Sequence, residues 1–293
     1  MADGIQEAAR AKINLALHVT GRRADGYHLL DSLVTFVDCS DDLVFSPAAT
    51  DRLAITGPFG PDLKADAGNL VIRARDLLRR AAEAQGIAAP PVDILLVKNL
   101  PIASGIGGGS ADAAATLRGL MRLWAFSPPE AELAEMALSL GADLPMCLAG
   151  RPLLARGIGE AITPVAMPSL GLVLLNPLVG VSTPDIFRSL TRRDNPPLPP
   201  LPETQAPQAW LDYLRRQRND LEAPARSLVP EIDSLLEALV ESGAQVARMS
   251  GSGASCFGLY ESGDAARAAA GRISAQLAAG PRKTYIRATQ TLA

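Results

Sequence analysis

The sequence predicts a mixed α and β fold, α+β or α/β, arranged as two domains or as one large one. The chain has 293 residues, about twice the usual size of a single domain. Hydrophobic residues make up 48% of it, which is enough for a sizeable buried core. Segments with the period of two that is typical of strands alternate with helical patterns in both halves. Both kinds of element are therefore expected throughout the chain.

The first predicted strand follows from strict alternation. Residues 13, 15, 17 and 19 are apolar and predict one buried face, whereas Lys12, Asn14 and His18 lie on the opposite face. A lysine, an amide and a histidine together are unusual on a purely structural strand. Lys12 and Asn14 are therefore candidate functional residues, against the alternative of an exposed strand lysine, and a structural role is expected for His18.

The other elements follow from apolar periodicity and capping residues. Asn69 is a predicted N-cap and Gly86 the predicted stop of the first helix. Ser127 is predicted to cap the third helix, with Glu130 completing a capping box, and Thr183 to cap a later helix. The predicted strands cover residues 33–37, 43–45, 53–56, 92–97, 172–175, 245–249, 256–260 and 284–288, and the predicted helices cover 70–85, 113–124, 128–140, 209–216, 230–241 and 264–279.

Composition excludes several classes of protein. The chain has 28 Lys and Arg against 31 Asp and Glu, so it lacks the basic excess of a nucleic-acid-coating protein. Two histidines and three widely spaced cysteines provide no zinc-type spacing. The most apolar stretch, residues 170–181, is too short to span a bilayer, and the first residues lack a secretory signal. We therefore expect a soluble, cytoplasmic protein with no nucleic-acid or membrane partner.

The strongest chemical signal is the segment PIASGIGGGSAD at residues 101–112, between a predicted strand and a predicted helix. Clustered glycines let backbone N–H groups converge, and the start of a helix adds partial positive charge. The segment therefore predicts a site for a di- or triphosphate, against the alternative of a flexible glycine turn. It lacks the lysine of a Walker A loop and the third glycine of a Rossmann fingerprint. Ser110 is a candidate ligand of a phosphate oxygen or of Mg²⁺.

This segment resembles the ATP-binding motif of the GHMP small-molecule kinases. Residues 11–15 (AKINL), 23–28 (RADGYH) and 141–145 (GADLP) resemble signatures of one branch of that family, whose acceptor is a cytidylated alcohol. Residues 249–254 (MSGSGA) resemble the third, C-terminal glycine motif of the family. The matches lie in family order along nearly the whole chain.

The resemblance implies a two-domain α+β kinase, with residues 1–160 binding ATP and residues 161–293 completing a cleft for ATP and substrate between the domains. It implies phosphoryl transfer from ATP to the 2-hydroxyl of a diphosphocytidyl alcohol, a step in non-mevalonate isoprenoid precursor synthesis. Asp143 is implied as the base that accepts the hydroxyl proton, and Lys12 as its cationic partner. Mg²⁺ is expected, with Ser110 as a weak candidate ligand.

The resemblance also implies the remaining site residues. Tyr27 and His28 are expected to recognise cytosine, with Phe187 on the opposite side of the stack, although ordinary helix packing is the alternative for Phe187. The implied ATP-binding residues are Pro101, Ile102, Ala103, Ser104, Gly105, Ile106, Gly107, Gly108, Gly109, Ser110 and Ala111. The implied substrate-binding residues are Asn14, Tyr27, His28, Thr183, Phe187, Gly251 and Ser252.

Two alternative functions stay open at this point. The chain could be another GHMP kinase that acts on homoserine, mevalonate or a sugar, but these acceptors offer no base for an aromatic residue to stack on. It could also be a non-catalytic ligand-binding relative. The oligomeric state, monomer or homodimer, is not fixed by the sequence.

Overall fold

The computed structural model describes residues 4–102, 104–278 and 283–293. Two compact units interleave along the chain. The first unit comprises Met1–Ala11, Cys39–Ile102 and Gly107–Gly150, and the second comprises Lys12–Asp38, Ala103–Ile106 and Arg151–Ala293. The division into residues 1–160 and 161–293 stays a prediction.

The chain opens with two long paired strands, β1 (Ile5–Arg22) and β2 (His28–Pro47). β1 contains the predicted strand, and β2 joins two strands that were predicted separately. The predicted single buried face of β1 is wrong, because Lys12, Asn14 and His18 are 3%, 4% and 1% exposed. The Lys12 ammonium, the Asn14 side chain and Nδ1 of His18 have hydrogen-bond partners inside the second unit, and such partners make the burial of polar groups tolerable. Nε2 of His18 has none among the described residues.

In the first unit, β3 (Arg52–Thr56) pairs in parallel with β4 (Val92–Val97), and β4 pairs antiparallel with residues 42–47 of β2. The helices of this unit have apolar faces, whose buried residues include Leu78 and Leu117. These helices are α1 (Leu70–Ala84), α2 (Gly108–Leu123), α3 (Glu130–Leu140) and α4 (Leu144–Ala149).

Two predicted helix starts have different outcomes in the first unit. The Asn69 side chain accepts a hydrogen bond from the Val71 amide at 3.0 Å, which confirms the cap of α1. The predicted capping box at Ser127 is wrong, since α3 begins at Glu130 with Pro129 in the N-cap position. Pro128 precedes another proline, which disfavours helical dihedral angles there and delays the helix.

In the second unit, residues 30–34 of β2 pair antiparallel with β5 (Leu153–Gly157), and β5 pairs with β6 (Ala161–Pro164). The strands of a second sheet are β7 (Gly171–Asn176), β8 (Val246–Met249), β9 (Cys256–Tyr260) and β10 (Tyr285–Gln290). This sheet is wholly antiparallel and has the order β10, β7, β9, β8, with β7 buried on both faces.

The described helices of the second unit are α5 (Thr183–Arg188), α6 (Pro207–Arg215), α7 (Glu222–Leu228), α8 (Glu231–Glu241) and α9 (Gly263–Leu277). Hydrophobic residues of α5 and α7–α9 pack with the second sheet in one core. Ser182, not Thr183, occupies the N-cap position of α5, so the predicted cap is displaced by one residue. The short elements β5, β6, α4 and α7 were not predicted.

The proline-rich stretch between α5 and α6 contains no helix or strand. Its backbone is nevertheless fixed, since the Leu198 amide donates to the Asp31 carboxylate at 3.1 Å and the Tyr213 hydroxyl donates to the Pro199 carbonyl at 2.9 Å. Within the part of the chain that the structure describes, no helix has the length and apolar character needed to cross a bilayer.

Candidate active site

The predicted site residues are distributed over both units. The first unit contains Pro101, Ile102, Gly107, Gly108, Gly109, Ser110, Ala111 and Asp143. The second contains Lys12, Asn14, Tyr27, His28, Ser104, Gly105, Ile106, Thr183, Phe187, Gly251 and Ser252. Ala103 lies outside the described residues.

The first unit presents the start of a long helix directly after the glycine-rich segment. Gly107 is the N-cap of α2 with a φ of 71°, a left-handed conformation that favours glycine. A glycine cap brings no side chain to the first-turn amides, and Gly109 is exposed. The 16-residue helix adds partial positive charge at this end. This arrangement suits an anion such as a phosphate group.

A buried charge cluster lies beside this helix start. The Lys98 ammonium contacts a carboxylate oxygen of Asp41 at 2.5 Å and one of Asp112 at 2.6 Å, and all three side chains are at least 96% buried. Asp41 also accepts hydrogen bonds from the backbone amides of Asn99 and Leu100 at 2.6 and 2.8 Å. The cluster therefore joins β2 to the chain that leads into the glycine-rich segment and to the second turn of α2.

The charges of this cluster perturb one another. Burial raises the pKa of Asp112 to about 7, and the like charge of Asp41 adds to this rise, whereas Lys98 opposes it. Burial would lower the pKa of Lys98, but the two carboxylates outweigh it and raise that pKa. Two carboxylates thus share one buried ammonium, and the second oxygen of Asp112 has no hydrogen-bond partner among the described residues.

Asp143 lies at the beginning of α4 in the first unit. It occupies the N-cap position and is partly exposed, and its backbone carbonyl accepts a hydrogen bond from the Cys147 amide at 3.1 Å. Its side chain is not used to cap this helix. The carboxylate therefore stands at the start of α4 without forming part of its cap.

In the second unit, hydrogen bonds tie the Lys12 strand to the glycine-rich segment. The Lys12 ammonium donates to the Asn14 side-chain carbonyl at 2.8 Å, and the Lys12 backbone amide donates to the Ile106 carbonyl at 2.9 Å. The Asn14 backbone amide donates to the Ser250 hydroxyl at 3.0 Å. This hydroxyl in turn lies 3.3 Å from the Gly105 carbonyl oxygen. Lys12, Asn14 and the segment around Gly105 are thereby held together.

The third glycine motif forms a tight turn around the same segment. The Asn219 side chain donates to the carbonyls of Met249 and Gly251, both at 2.8 Å, and this fixes the turn. Gly105 has a φ of 72°, and a Cβ there would lie 2.6 Å from the Gly253 carbonyl oxygen. Only a residue without a side chain fits this approach.

Two pairs of predicted substrate residues are in contact. The rings of His28 and Phe187 stack directly, with centroids 4.8 Å apart, so no base fits between them. Tyr27, the residue before His28, is 59% exposed. The Thr183 and Ser252 hydroxyls lie 2.7 Å apart. Burial, together with the charges of Arg22 and Arg193, lowers the pKa of His28, which favours a neutral imidazole.

His18 is buried in the second unit, and a structural role for it stays a prediction. Its Nδ1 lies 3.1 Å from the Pro196 carbonyl oxygen, in the proline-rich stretch. Burial and the charge of Arg218 lower the pKa of His18, against the opposing effects of Asp220 and of backbone carbonyls.

The residues present do not form a protein cage for Mg²⁺. Among the described residues, no three His, Cys, Asp or Glu side chains are grouped as a metal site. Ser110 offers one partly buried hydroxyl in the first turn of α2. Magnesium commonly keeps several waters and binds through substrate phosphates. A single hydroxyl in the first turn of a helix fits that mode of binding and no tighter one.

Comparison with known proteins defines the class first. The profile of the GHMP kinases N terminal domain matches residues 69–151, and the profile of the GHMP kinases C terminal domain matches residues 203–279. A homoserine kinase from Cytophaga hutchinsonii is 22% identical, with a TM-score of 0.71 over 99% of this chain and 95% of its own, and so shares the fold. The predicted α+β GHMP kinase fold is confirmed.

More similar relatives narrow the class to one family. A 4-diphosphocytidyl-2-C-methyl-D-erythritol kinase of Sinorhizobium medicae is 58% identical, over 97% of this chain and 94% of its own length. One of Agrobacterium fabrum is 59% identical over 89% of both chains. A crystal structure of 4-(cytidine 5'-diphospho)-2C-methyl-D-erythritol kinase is 36% identical, with a TM-score of 0.78 over 98% of this chain and all of the other. The chain belongs to the 4-diphosphocytidyl-2-C-methyl-D-erythritol kinase family of the GHMP kinases.

Sequence reasoning missed several residues that hold the site. Asp41, Lys98 and Asp112 form the buried charge cluster, and Ser32 and Ser250 hold the Asn14 side chain and backbone. One signal was present for the first group: a lysine that closes an apolar strand and directly precedes a glycine-rich segment.

Proposed function

We propose that this chain transfers the γ-phosphoryl group of ATP to the 2-hydroxyl of 4-diphosphocytidyl-2-C-methyl-D-erythritol, in isoprenoid precursor synthesis. The observation that carries this proposal is 58% identity, over nearly the full length of both chains, to a kinase named for that substrate. We also propose a cytoplasmic location and a monomer or homodimer.

The triphosphate of ATP would bind at the glycine-rich segment. The amides at the start of α2 and the partial positive charge of that helix would stabilise the phosphate oxygens. Gly109 is exposed and Ser110 is partly exposed, which supports access to this end of the helix. Mg²⁺ bound to the phosphates would neutralise part of their charge, with Ser110 as its nearest candidate protein ligand.

Asp143 would accept the proton of the acceptor hydroxyl as the new P–O bond forms. A positioned base of this kind contributes about 10²–10⁴ in rate. Lys12 would stabilise the carboxylate and the negative charge on the transferred group. The burial of the Lys12 side chain supports this role, because the attraction between opposite charges is stronger away from bulk water.

The cytidine end of the substrate would bind near the turn between β1 and β2. Tyr27 offers an exposed ring for stacking on the pyrimidine. His28 and Phe187 already stack on each other, so they would form one wall of the site rather than two sides of a sandwich. A neutral His28 imidazole can both donate and accept hydrogen bonds at the edge of the base.

Release of ADP in a coupled assay tests the proposal. The purified chain is supplied with ATP, Mg²⁺ and, in parallel, the cytidylated alcohol, homoserine, mevalonate or galactose. We expect turnover with the cytidylated alcohol and at least about a hundredfold lower kcat/KM with the others. Turnover of another acceptor at equal or greater efficiency would refute the assignment, as would the absence of turnover with all four.

An Asp143→Asn variant tests the proposed base. We expect kcat to fall by about 10²–10⁴, with the affinity for ATP unchanged, because the amide keeps the shape of the side chain but cannot accept the proton. ATP affinity is measured by calorimetry. A near-normal kcat in this variant would exclude Asp143 as the base.

A further inference from the structure

We propose that Ser32 is a positioning residue that fixes the orientation of the Asn14 side-chain amide and, through it, the position of the Lys12 ammonium. This inference rests on the proposed function, in which Lys12 acts at the phosphoryl group. Ser32 belongs to no sequence motif considered above, and it lies on β2 beside the strand that carries Lys12 and Asn14.

Three hydrogen bonds in series link Ser32, Asn14 and Lys12. The Ser32 hydroxyl donates to the Ala16 carbonyl at 2.7 Å. The Asn14 side-chain nitrogen donates to the Ser32 oxygen at 2.9 Å. The Lys12 ammonium donates to the Asn14 side-chain oxygen at 2.8 Å. All three distances are those of good hydrogen bonds.

The direction of this series is fixed at both ends. A backbone carbonyl can only accept, so the single proton of the Ser32 hydroxyl is committed to Ala16. The Ser32 oxygen is then left as an acceptor, which selects the nitrogen side of the Asn14 amide. An ammonium can only donate, so it selects the oxygen side. The opposite orientation of the amide would place donors against donors at Lys12.

Burial makes the series costly to break. Lys12, Asn14 and Ser32 are 3%, 4% and 2% exposed, so bulk water is not available to replace a lost partner. A buried polar group left without its partner costs about 1–3 kcal/mol. The arrangement of the Lys12 side chain is therefore set by its buried neighbours.

The backbone of this strand has its own, separate anchors. The Asn14 backbone amide donates to the Ser250 hydroxyl, and the Lys12 backbone amide donates to the Ile106 carbonyl. Neither bond involves Ser32. Removal of the Ser32 hydroxyl is therefore expected to release the Asn14 side chain and leave the strand in place.

Steady-state kinetics of Ser32→Ala with ATP and the cytidylated alcohol test the proposal. We expect kcat to fall about tenfold, with KM for ATP changed less than about twofold, since about 1.4 kcal/mol of lost stabilisation in the transition state gives this factor. Ser32→Thr and Ser32→Val form an isosteric pair that differs by the hydroxyl. We expect the threonine variant to retain more than half of kcat and the valine variant to lose about tenfold.

Ser242→Ala is the matched control. Ser242 is also buried, donates to a backbone carbonyl at 2.7 Å and contacts a second side chain, the Tyr260 hydroxyl, at 2.7 Å. It lies at the end of α8 and belongs to no part of the proposed site. We expect its kcat to equal that of the wild type.

A double-mutant cycle separates positioning from general structural support. If Ser32 acts through Asn14, then Ser32→Ala lowers kcat less than about twofold in an Asn14→Ala background. The same tenfold loss in both backgrounds would overturn the proposal, as would wild-type kcat in Ser32→Ala or equal kcat in the threonine and valine variants. If the wild type turns over the cytidylated alcohol, any of these results refutes only the role of Ser32. If the wild type does not turn over this substrate, the proposed function itself is refuted.

Discussion

The buried carboxylate of Asp112 should make the stability of this protein depend on pH. Burial raises its pKa from 3.8 to about 7 in the folded state. The folded protein therefore holds a proton on Asp112 over a pH range in which the unfolded chain has lost it. Stability falls with rising pH wherever the folded state binds more protons than the unfolded state. The contribution of Asp112 is therefore complete below about pH 4 and is lost as the pH rises through about 7.

The magnitude follows from the size of the pKa difference. Each tenfold change in proton affinity corresponds to about 1.4 kcal/mol, so the full effect of Asp112 is about 4 kcal/mol, of which about 3 kcal/mol falls between pH 5 and pH 8. The side chain is 96% buried, so solvent screening does not reduce this value greatly. This loss is a large share of the free energy of unfolding of a typical protein, which is about 5–15 kcal/mol.

Asp112→Asn removes the titrating group and keeps its shape. The amide can still present an oxygen to Lys98, and the remaining pair of Lys98 and Asp41 is then neutral overall. We expect the free energy of unfolding of the wild type to fall by about 3 kcal/mol more than that of the variant between pH 5 and pH 8. Chemical denaturation followed by circular dichroism at four pH values provides the measurement.

Removal of an exposed carboxylate controls for net charge. Asp38→Asn also deletes one negative charge, but Asp38 is exposed on β2. Its stability is expected to follow that of the wild type across the same range. Parallel curves for the wild type and Asp112→Asn would refute the reasoning, since Asp112 would then be ionised in the folded protein throughout.

Two further substitutions test the glycine-rich segment and the cytidine site. Gly105→Ala should lower stability by more than about 2 kcal/mol and impair turnover, since a Cβ would lie 2.6 Å from a carbonyl oxygen. The control is Gly86→Ala, because Gly86 has a φ of 74° but open space around it. This variant should lose about 1 kcal/mol of stability and keep its kcat unchanged. Equal losses in thermal melts of the two variants would argue against the close approach. Tyr27→Ala should raise KM for the cytidylated alcohol about tenfold, with KM for ATP unchanged, and an unaltered KM for the alcohol would place the base elsewhere.

Local signals accounted for much of the fold. The cap at Asn69, the stop at Gly86 and the strand over residues 92–97 each depend on a few adjacent residues, and all three are present in the structure. The start of α3 was misplaced because two consecutive prolines outweigh a capping box. The short elements β5 and β6 were missed, because four or five residues carry too little periodicity to stand out.

In the candidate site, too, local conformation could be predicted from the sequence, whereas contacts between distant residues could not. A glycine with positive φ can be anticipated from its motif, and Gly105 and Gly107 have this conformation. Contacts between distant parts of the chain cannot be anticipated in this way: the hydrogen bond from the Asn14 backbone amide to the Ser250 hydroxyl joins residues 236 positions apart. Ser32 resembles any small strand residue until the fold places it beside Asn14.

The polar face of β1 shows what the sequence can and cannot tell about function. Lys12 and Asn14 were singled out because they are unusual on a strand, but the strand was expected to expose them, and it buries them. Burying an ammonium requires partners whose polarity is fixed, which the series through Asn14 and Ser32 provides. A lysine held in this way has its ammonium directed by its neighbours. In the proposed mechanism that direction aims the ammonium at the transferred phosphoryl group, so Asn14 and Ser32 would contribute to catalysis by positioning Lys12.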